Sequence, residues 1–199
     1  MTTSLVYSNV HVYRLVMNLL YAGQYRRRFQ DVLDLLGTDV SSVCDLCFGD
    51  TIIADACRAR GVEWTGVDLN RTFCDAASRR GHRVIQESVF TADLPRADVF
   101  VMAGSLYHFH DRLPEFFDRI WARTNRLILS EPVQNLSSRG GLLGWWARRS
   151  ANAGEGHQAF RFTETTLVDA LGLEQARRPG LNYRVVSVGR DALVDVRGH

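Results

Sequence analysis

From Val40 to Pro132 the sequence alternates between short apolar runs of strand length and amphipathic stretches of about ten residues with helical periodicity. Two of the amphipathic stretches end at a glycine, Gly61 and Gly81, which is a common signal for the end of a helix. This alternation predicts an α/β fold, in which right-handed crossovers place helices on both faces of a parallel sheet. The 199 residues, 46% of them hydrophobic, suffice for one such domain.

The apolar pattern gives the approximate bounds of each element. The predicted strands are 41–48, 63–70, 82–90, 97–107 and 126–132, and the helices between them are 51–61, 71–81 and 113–125. A further helix is predicted at 163–172, where Thr163 and Thr166 form a weak capping-box pattern. The last apolar runs, within 183–197, meet at a turn around Gly189, which predicts an antiparallel hairpin.

Two segments flank or interrupt this pattern. Residues 1–37 predict an N-terminal helical cap of two helices that Gly23 interrupts, and apolar residues recur at helical spacing in the first of them. Arg26, Arg27 and Arg28 form either a solvated face or a contact for an anionic ligand. We assign 38–199 to the main domain and interpret its long, glycine-rich stretch at about 133–160 as a lid-like insert.

Charge and hydropathy disfavour several classes of partner. A formal net charge of +2 gives no electrostatic reason to expect nucleic acid. No apolar run approaches the roughly 20 residues that cross a bilayer, and the N-terminus lacks the pattern of a secretory signal. We therefore expect a cytoplasmic protein with no nucleic-acid partner and no stable membrane insertion.

The four cysteines include a CxxC pair, Cys44 and Cys47, a spacing that is typical of zinc or redox sites. Side chains three residues apart on a strand point to opposite faces of the sheet, however. The other two cysteines, Cys57 and Cys74, do not form a second such pair. We therefore interpret the cysteines as small apolar residues of the core and expect no metal site.

Acidic residues lie at the ends of the first two predicted strands. Asp45 ends the first strand, just before a turn that contains Gly49, and Asp68 ends the second strand, 19 residues after Gly49 (68 − 49). Parallel sheets bind ligands at the carboxyl ends of their strands. A carboxylate there can accept hydrogen bonds from both hydroxyls of a ribose, so these positions indicate a site for a nucleotide-like cofactor.

These strand ends resemble the cofactor motifs of the class I S-adenosylmethionine-dependent methyltransferases. VCDLCFGDT, which begins at Val43, resembles the first motif, and TGVDLN, which contains Asp68, resembles the second. The resemblance implies a Rossmann-like, mostly parallel seven-stranded sheet with an antiparallel C-terminal hairpin strand, and it implies S-adenosylmethionine as the cofactor. Cys47 and Thr51 stand where the family usually has glycine. Glycine at the first of these positions allows the backbone to approach the cofactor closely, because it has no Cβ.

A longer stretch, ESVFTADLPRADVFVMAGSLYHFHD, resembles in part the small-molecule O-methyltransferases. In that family a histidine after the fourth strand serves as general base, a role that His108 matches. A pocket-lining role for Tyr107 and His108 remains the alternative. The resemblance implies cofactor contacts at Asp45, Cys47, Gly49, Asp68, Leu69, Glu87, Ser88, Val89, Phe90 and Gly104.

The function expected from these features is methyl transfer to oxygen or nitrogen of a small-molecule acceptor. Acceptor contacts are expected from Tyr107 and, in the insert, from Trp145, Trp146 and His157. Glu131, after the fifth strand, either reaches the acceptor or simply ends the strand. The alternative function is a non-catalytic methyltransferase-fold protein that binds a ligand or partner, and a homodimer is a candidate assembly.

Overall fold

The computed structural model describes residues 10–21, 23–134 and 160–198, which contain one seven-stranded sheet. Its strands are β1 (Ser42–Leu46), β2 (Glu63–Val67), β3 (Arg83–Ile85), β4 (Val99–Ala103), β5 (Arg126–Pro132), β6 (Asn182–Val188) and β7 (Asp191–Arg197). They lie in the order β3-β2-β1-β4-β5-β7-β6. β1 to β5 pair in parallel, and β7 runs antiparallel between β5 and β6. The predicted mostly parallel sheet with its antiparallel C-terminal hairpin is confirmed.

Helices cover both faces of the sheet. They are α1 (Val10–Leu20), α2 (Tyr25–Leu36), α3 (Ile52–Ala59), α4 (Arg71–Arg79), α5 (Leu113–Trp121), α6 (Glu164–Arg177) and a short 3₁₀ helix (Leu106–Phe109). Successive side chains of a strand point to opposite faces. Val43 therefore joins the core beneath α2, α3 and α4, whereas Cys44 and Leu46 join the core beneath α5 and α6.

The first four strands are shorter than predicted, and β3 and β4 differ most from the expectation. The run at 82–90 was expected to be one strand, but β3 ends at Ile85, and the Ser88 carbonyl accepts hydrogen bonds from the amides of Thr91 and Ala92. These bonds form a tight turn in place of a ladder. The run at 97–107 likewise ends as a strand at Ala103 and continues as the 3₁₀ helix. In both places, local hydrogen bonds begin where pairing with the neighbouring strand ends.

The predicted helix near the C-terminus begins as expected. Thr163 is the N-cap of α6, and its hydroxyl accepts a hydrogen bond from the Thr166 amide at 3.2 Å. The Thr166 hydroxyl accepts one from the Thr163 amide at 2.9 Å, which completes the capping box. Two threonines thus satisfy backbone groups that helix starts leave without partners.

The two predicted N-terminal helices are present, and Gly23 between them has a φ of +81°. An apolar stripe usually faces the core of a protein. In α1, however, Leu15 and Leu19 are 62% and 68% exposed, whereas Tyr13 and Met17 pack against the core. The sequence therefore predicts the helix correctly, but the apolar spacing does not identify its buried face.

The arginine run on α2 divides between surface and core. Arg26 and Arg27 are exposed, as expected for a solvated face. Arg28 is buried, and its guanidinium donates to the Tyr21 hydroxyl at 2.8 Å and lies 3.2 Å from the Asp191 carboxylate. The solvated-face interpretation is therefore wrong for Arg28, because the helix turns this position toward the sheet.

The four cysteines lie within the described residues, and none of them forms a disulfide. Cys44, Cys57 and Cys74 are buried, as the apolar interpretation predicts, whereas Cys47 is half-buried. Across the described ranges, no group of three or more His, Cys, Asp or Glu side chains is placed to hold a metal ion. None of the helices in those ranges has the length and apolar character needed for a transmembrane span.

A buried ion pair connects the start of β5 to β7 and to the end of α2. The Arg126 guanidinium donates to both carboxylate oxygens of Asp195, at 2.9 and 3.2 Å. It also donates to the main-chain carbonyls of Leu35 and Leu36, at 2.7 and 3.1 Å. One side chain thereby satisfies carbonyls at the helix C-terminus and a carboxylate that is 3% exposed.

We expect the substitution Arg126→Met to lower the free energy of unfolding by about 3 kcal/mol, because it removes the buried partner of Asp195 and leaves this carboxylate with Arg197, which is 60% exposed. The matched control is Arg71→Met, which removes an arginine that is 82% exposed and pairs with Asp75 on α4. The control should change stability by less than about 0.5 kcal/mol. Urea unfolding of both variants measures the difference, and equal losses would contradict a structural role for the buried pair.

Candidate active site

The turn between β1 and α3 has an unusual backbone. Cys47 has a φ of +53° and Gly49 a φ of +56°, both in the left-handed region that favours glycine. Cys47 is the single non-glycine residue with a positive φ in the described part of the chain. The cysteine therefore keeps the backbone shape that a glycine would give this position, at the cost of some strain.

Asp68 lies at the carboxyl end of β2 and faces this turn. One of its carboxylate oxygens accepts a hydrogen bond from the Gly49 amide at 3.1 Å, and the other accepts one from the Asn70 amide at 2.8 Å. Burial raises the pKa of Asp68 to about 6, although both amide bonds act in the opposite direction. The ends of β1 and β2 thus form one site with a carboxylate at its centre.

Asp45 points into the protein. It lies within β1, is 1% exposed, and accepts a hydrogen bond from the indole Nε1 of Trp64 at 3.2 Å. Burial raises its pKa to about 8, which favours the neutral form of the carboxyl group at neutral pH. The structure thus places Asp45 against the Trp64 side chain of β2. The predicted contact of Asp45 with the cofactor stays a prediction.

Helix α1 lies directly on the turn. The Arg14 guanidinium donates to both carboxylate oxygens of Asp50, at 2.9 and 2.6 Å. The Tyr13 hydroxyl is 3.4 Å from the position that a Cβ on Gly49 would take. Tyr13 also packs edge-on against Phe73 of α4, with ring centroids 4.9 Å apart. Helix α1 therefore contacts both the turn between β1 and α3 and helix α4, which follows Asp68.

Four of the predicted cofactor contacts, Glu87, Ser88, Val89 and Phe90, lie after β3, in the turn that replaces the end of the expected strand. Glu87 is exposed, whereas Ser88 and Val89 are buried. The Phe90 amide donates to the Ser88 hydroxyl at 3.3 Å, so this amide has a partner within the turn. Leu69, after β2, is 43% exposed. Cofactor binding by these residues stays a prediction.

Gly104 ends β4 and is in close contact with Arg28. Its φ is +81°, and its amide donates to the Ser130 carbonyl of β5 at 2.7 Å. A Cβ at Gly104 would clash with the guanidinium, lying 2.9 Å from Nη1 and closer still to Nη2. Arg28 in turn donates from Nη2 to the same Ser130 carbonyl at 3.1 Å. Only glycine leaves space for the arginine at this strand end.

Glu131 holds the 3₁₀ helix in place. It is fully buried at the carboxyl end of β5, and its two oxygens accept hydrogen bonds from the amides of Leu106 and Tyr107, each at 3.1 Å. Burial raises the pKa of Glu131 to about 8. It therefore binds the first turn of the short helix as a cap and positions the segment that carries His108.

His108 lies on this short helix and is 7% exposed. Its ring lies 4.0 Å from that of Tyr107, and the Arg161 guanidinium lies 3.9 Å above the Tyr107 ring. Burial, aided by the charge of Arg161, lowers the pKa of His108 to about 4. Nδ1 is buried and has no hydrogen-bond partner among the described residues. His108 is thus neutral at physiological pH.

Of the predicted residues, the structure joins Gly49 to the Asp68 carboxylate, and it pairs β1 with both β2 and β4, the strands that precede Asp68 and Gly104. Trp145, Trp146 and His157 lie outside the described residues. Sequence reasoning missed the contact of Arg14 with the turn and that of Arg28 with Gly104. No local signal marks them, because both depend on where the N-terminal helices pack.

Residues 21–175, more than half of the chain, match a protein family described as a methyltransferase domain. The chain belongs to this methyltransferase family. Its identification as a class I S-adenosylmethionine-dependent methyltransferase is thereby confirmed, with S-adenosylmethionine as the cofactor. No curated protein matches the sequence.

Solved methyltransferases share the fold at low sequence identity. Magnesium protoporphyrin IX methyltransferase from Synechocystis, solved with bound S-adenosylhomocysteine, has a TM-score of 0.63 and 13% identity over 88% of this chain and 84% of its own. Human N-acetylserotonin methyltransferase has a TM-score of 0.63 and 18% identity over 97% of this chain. A Nostoc punctiforme protein provisionally assigned as an O-methyltransferase has a TM-score of 0.65 and 12% identity over 89%. This methyltransferase spans 57% of the length of each of the last two.

The backbone strain at Cys47 of this methyltransferase predicts an unusual order of stability for its glycine and alanine variants. In most positions a glycine is less stable than an alanine, because it loses more backbone entropy on folding. At Cys47 we expect Cys47→Gly to be more stable than Cys47→Ala by about 1 kcal/mol, since alanine retains the strained left-handed conformation. Thermal or urea unfolding of the two variants compares them directly. A less stable glycine variant would show that Cys47 is not strained.

Proposed function

We propose that this protein transfers a methyl group from S-adenosylmethionine to an oxygen or nitrogen atom of a small-molecule acceptor. The observation that carries the proposal is the hydrogen bond between Gly49 and Asp68, which joins the first two strand ends into one site. The family match supports methyl transfer as the reaction. The 3₁₀ helix at the end of the neighbouring strand β4 supplies His108 for the acceptor side.

The cofactor, when bound, supplies a sulfonium methyl group that an attacking oxygen or nitrogen can displace. In our proposal the Asp68 carboxylate accepts hydrogen bonds from the ribose hydroxyls and fixes the sugar, while Gly49 gives the turn its left-handed backbone. His108 accepts the acceptor's proton at Nε2, because Nδ1 is sealed in the interior. With a pKa of about 4, His108 is a weak base that stays unprotonated at neutral pH, and a role as a wall of the pocket is its alternative.

A non-catalytic role is the second candidate. Cys47 replaces a glycine, and both Asp68 oxygens accept backbone hydrogen bonds in the structure. A carboxylate has about four lone-pair sites, so these two bonds leave acceptor capacity for a ribose. Isothermal titration calorimetry with S-adenosylmethionine and S-adenosylhomocysteine decides between the candidates. Failure to bind either compound at millimolar concentration would favour the non-catalytic role.

The ribose assignment predicts a pH-dependent affinity. Asp68 gains a proton as the pH falls through about 6 and then accepts hydrogen bonds less well. We expect the affinity for S-adenosylhomocysteine to fall between pH 7 and pH 5 in the natural protein. In Asp68→Asn the affinity at pH 7 should be about 10–150-fold weaker and should change little over the same pH range.

The control for this experiment is Asp93→Asn, which alters a carboxylate that is 92% exposed. It should retain both the affinity and the pH dependence of the natural protein. If Asp68→Asn behaved like this control, Asp68 would not bind the ribose, whatever its hydrogen bond to Gly49.

The general-base assignment predicts a separation of turnover from binding. We expect His108→Gln to lower kcat by about 10²–10⁴-fold with an acceptor drawn from a panel of phenols, amines and carboxylic acids, while the dissociation constant of S-adenosylhomocysteine stays within about twofold. The acid limb of the kcat/KM profile in the natural protein should lie near pH 4 instead of near the ordinary histidine value.

The control for His108 is His82→Gln, which alters a buried histidine that hydrogen-bonds Asp55 at 2.9 Å between α3 and β3. It should leave kcat within a fewfold of the natural value. An unchanged kcat in His108→Gln would leave His108 as a wall of the pocket.

A further inference from the structure

The outer face of α1 carries an exposed apolar stripe. Val12, Leu15 and Leu19 are 43%, 62% and 68% exposed. Their spacing of three and then four residues places them on one side of the helix. The described part of the chain has seven exposed large hydrophobic side chains, and these three form the largest group on a single element. Apolar side chains grouped in this way on a surface usually mark a site of interaction.

The opposite side of α1 is already bound to the rest of the protein. Tyr13 packs edge-on against Phe73 and Tyr25, with ring centroids 4.9 and 6.3 Å apart. Arg14 donates to both carboxylate oxygens of Asp50. The helix cannot rotate to bury its apolar stripe without breaking these contacts, so only something outside the domain can cover the stripe.

The charge of the chain is unevenly distributed along the sequence. The first 30 residues contain four arginines and no Asp or Glu, whereas the rest of the chain contains the other 20 basic residues and all 22 acidic ones. Two of the four arginines, Arg14 and Arg28, face Asp50 and Asp191 of the main domain. The other two belong to the first turn of α2 and are exposed.

These exposed arginines, Arg26 and Arg27, lie close to the apolar stripe along the chain. The Gly23 amide donates to the Asn18 carbonyl at 2.8 Å, so α1 passes into α2 through a tight turn. Arg26 follows Leu19 by seven residues across this turn. The apolar stripe thus ends one tight turn away from two cations that face solvent.

The structure does not neutralise these two cations. Neither Arg26 nor Arg27 forms an ion pair or a side-chain hydrogen bond within the described ranges. Asp31 and Asp34, the first acidic residues of the chain, lie on the following turns of α2. Asp34 accepts a hydrogen bond from Gln30 at 2.7 Å, and in the part of the chain that the structure describes neither acid pairs with an arginine. The surface therefore combines apolar side chains with uncompensated positive charge.

An anionic lipid surface is complementary to both features. Its headgroups neutralise arginines, and apolar side chains can enter the layer just beneath them. A second copy of the chain is less complementary, because a twofold interface brings the same patch and its like charges from both sides.

We propose that the outer face of α1 and the first turn of α2 dock this protein on an anionic lipid surface. The 11 residues of α1 extend over about 17 Å, which is too short to cross a bilayer, so the contact is peripheral. The proposal goes beyond methyl transfer and depends on neither the cofactor nor the acceptor.

Cosedimentation of the full chain with lipid vesicles tests the docking directly. We expect binding to vesicles of about one-third phosphatidylglycerol in phosphatidylcholine at about 0.1 M salt, and binding at least about tenfold weaker to pure phosphatidylcholine. Raising the salt to about 0.5 M should also weaken binding to the anionic vesicles, because salt screens the attraction between arginines and headgroups.

Two leucines of nearly equal exposure test the apolar part. Leu19→Ser should weaken binding to the anionic vesicles by about tenfold, because the stripe loses a side chain that enters the lipid. The matched control is Leu173→Ser, which alters a leucine of α6 that is 70% exposed. It should leave the affinity within about twofold of the natural value.

A pair of double variants tests the charged part. Arg26→Gln combined with Arg27→Gln should weaken binding by about 30-fold, about fivefold for each arginine. The control combines Arg83→Gln with Arg184→Gln, which removes two exposed arginines from the edge strands β3 and β6. It lowers the net charge equally and should change binding by less than about twofold. The arginine variants decide the question if Leu19→Ser fails to fold.

Several results would overturn the proposal. One is failure of the natural protein to bind the anionic vesicles, and another is equal loss of binding in the test and control variants, which would indicate attraction by net charge alone. Sedimentation equilibrium without vesicles tests the second copy as the occupant. A dimer that dissociates in Leu19→Ser would assign the stripe to a protein interface and exclude lipid docking through it.

Discussion

The hydrogen bond from the Gly49 amide to the Asp68 carboxylate is the interaction on which the site depends. It joins the ends of β1 and β2, which are neighbours in the parallel sheet. It also places a carboxylate beside the left-handed backbone of Gly49. Parallel strands bring their carboxyl ends to one edge, so residues far apart in sequence meet there without a dedicated loop. The chain belongs to a methyltransferase family, and we propose this geometry as the site of S-adenosylmethionine.

Buried ionisable side chains attach the less regular parts of the molecule to this sheet. Glu131 binds the amides at the start of the 3₁₀ helix, and Arg28 binds groups on β5 and β7. Taking charged groups out of water is unfavourable unless their hydrogen bonds are satisfied inside the protein. Glu131 and Arg28, whose burial is unfavourable, therefore position Gly104 and His108. These lie at the strand end where the acceptor is expected.

The helices α1 and α2 have more than a covering role. Through Arg14 and Tyr13, α1 contacts the cofactor turn, and through Arg28, α2 contacts the end of β4. Two apolar residues of α1, Leu15 and Leu19, are exposed. Its inner face combines Val10 and Met17, which pack against the core, with Tyr13 and Arg14, which reach the turn.

The sequence by itself determined the features that depend on neighbouring residues. Alternating apolar and amphipathic runs predict the sheet and its helices, Thr163 and Thr166 predict a capping box, and Gly189 predicts the hairpin, because each of these patterns is local. The motif spacing also identified Asp68 and Gly49, which the tertiary structure then joins. Only the tertiary structure decided that β3 ends at Ile85, that Arg28 is buried and that Arg14 reaches Asp50. These features depend on which strand pairs and which helix packs alongside, and side chains distant in sequence set those contacts.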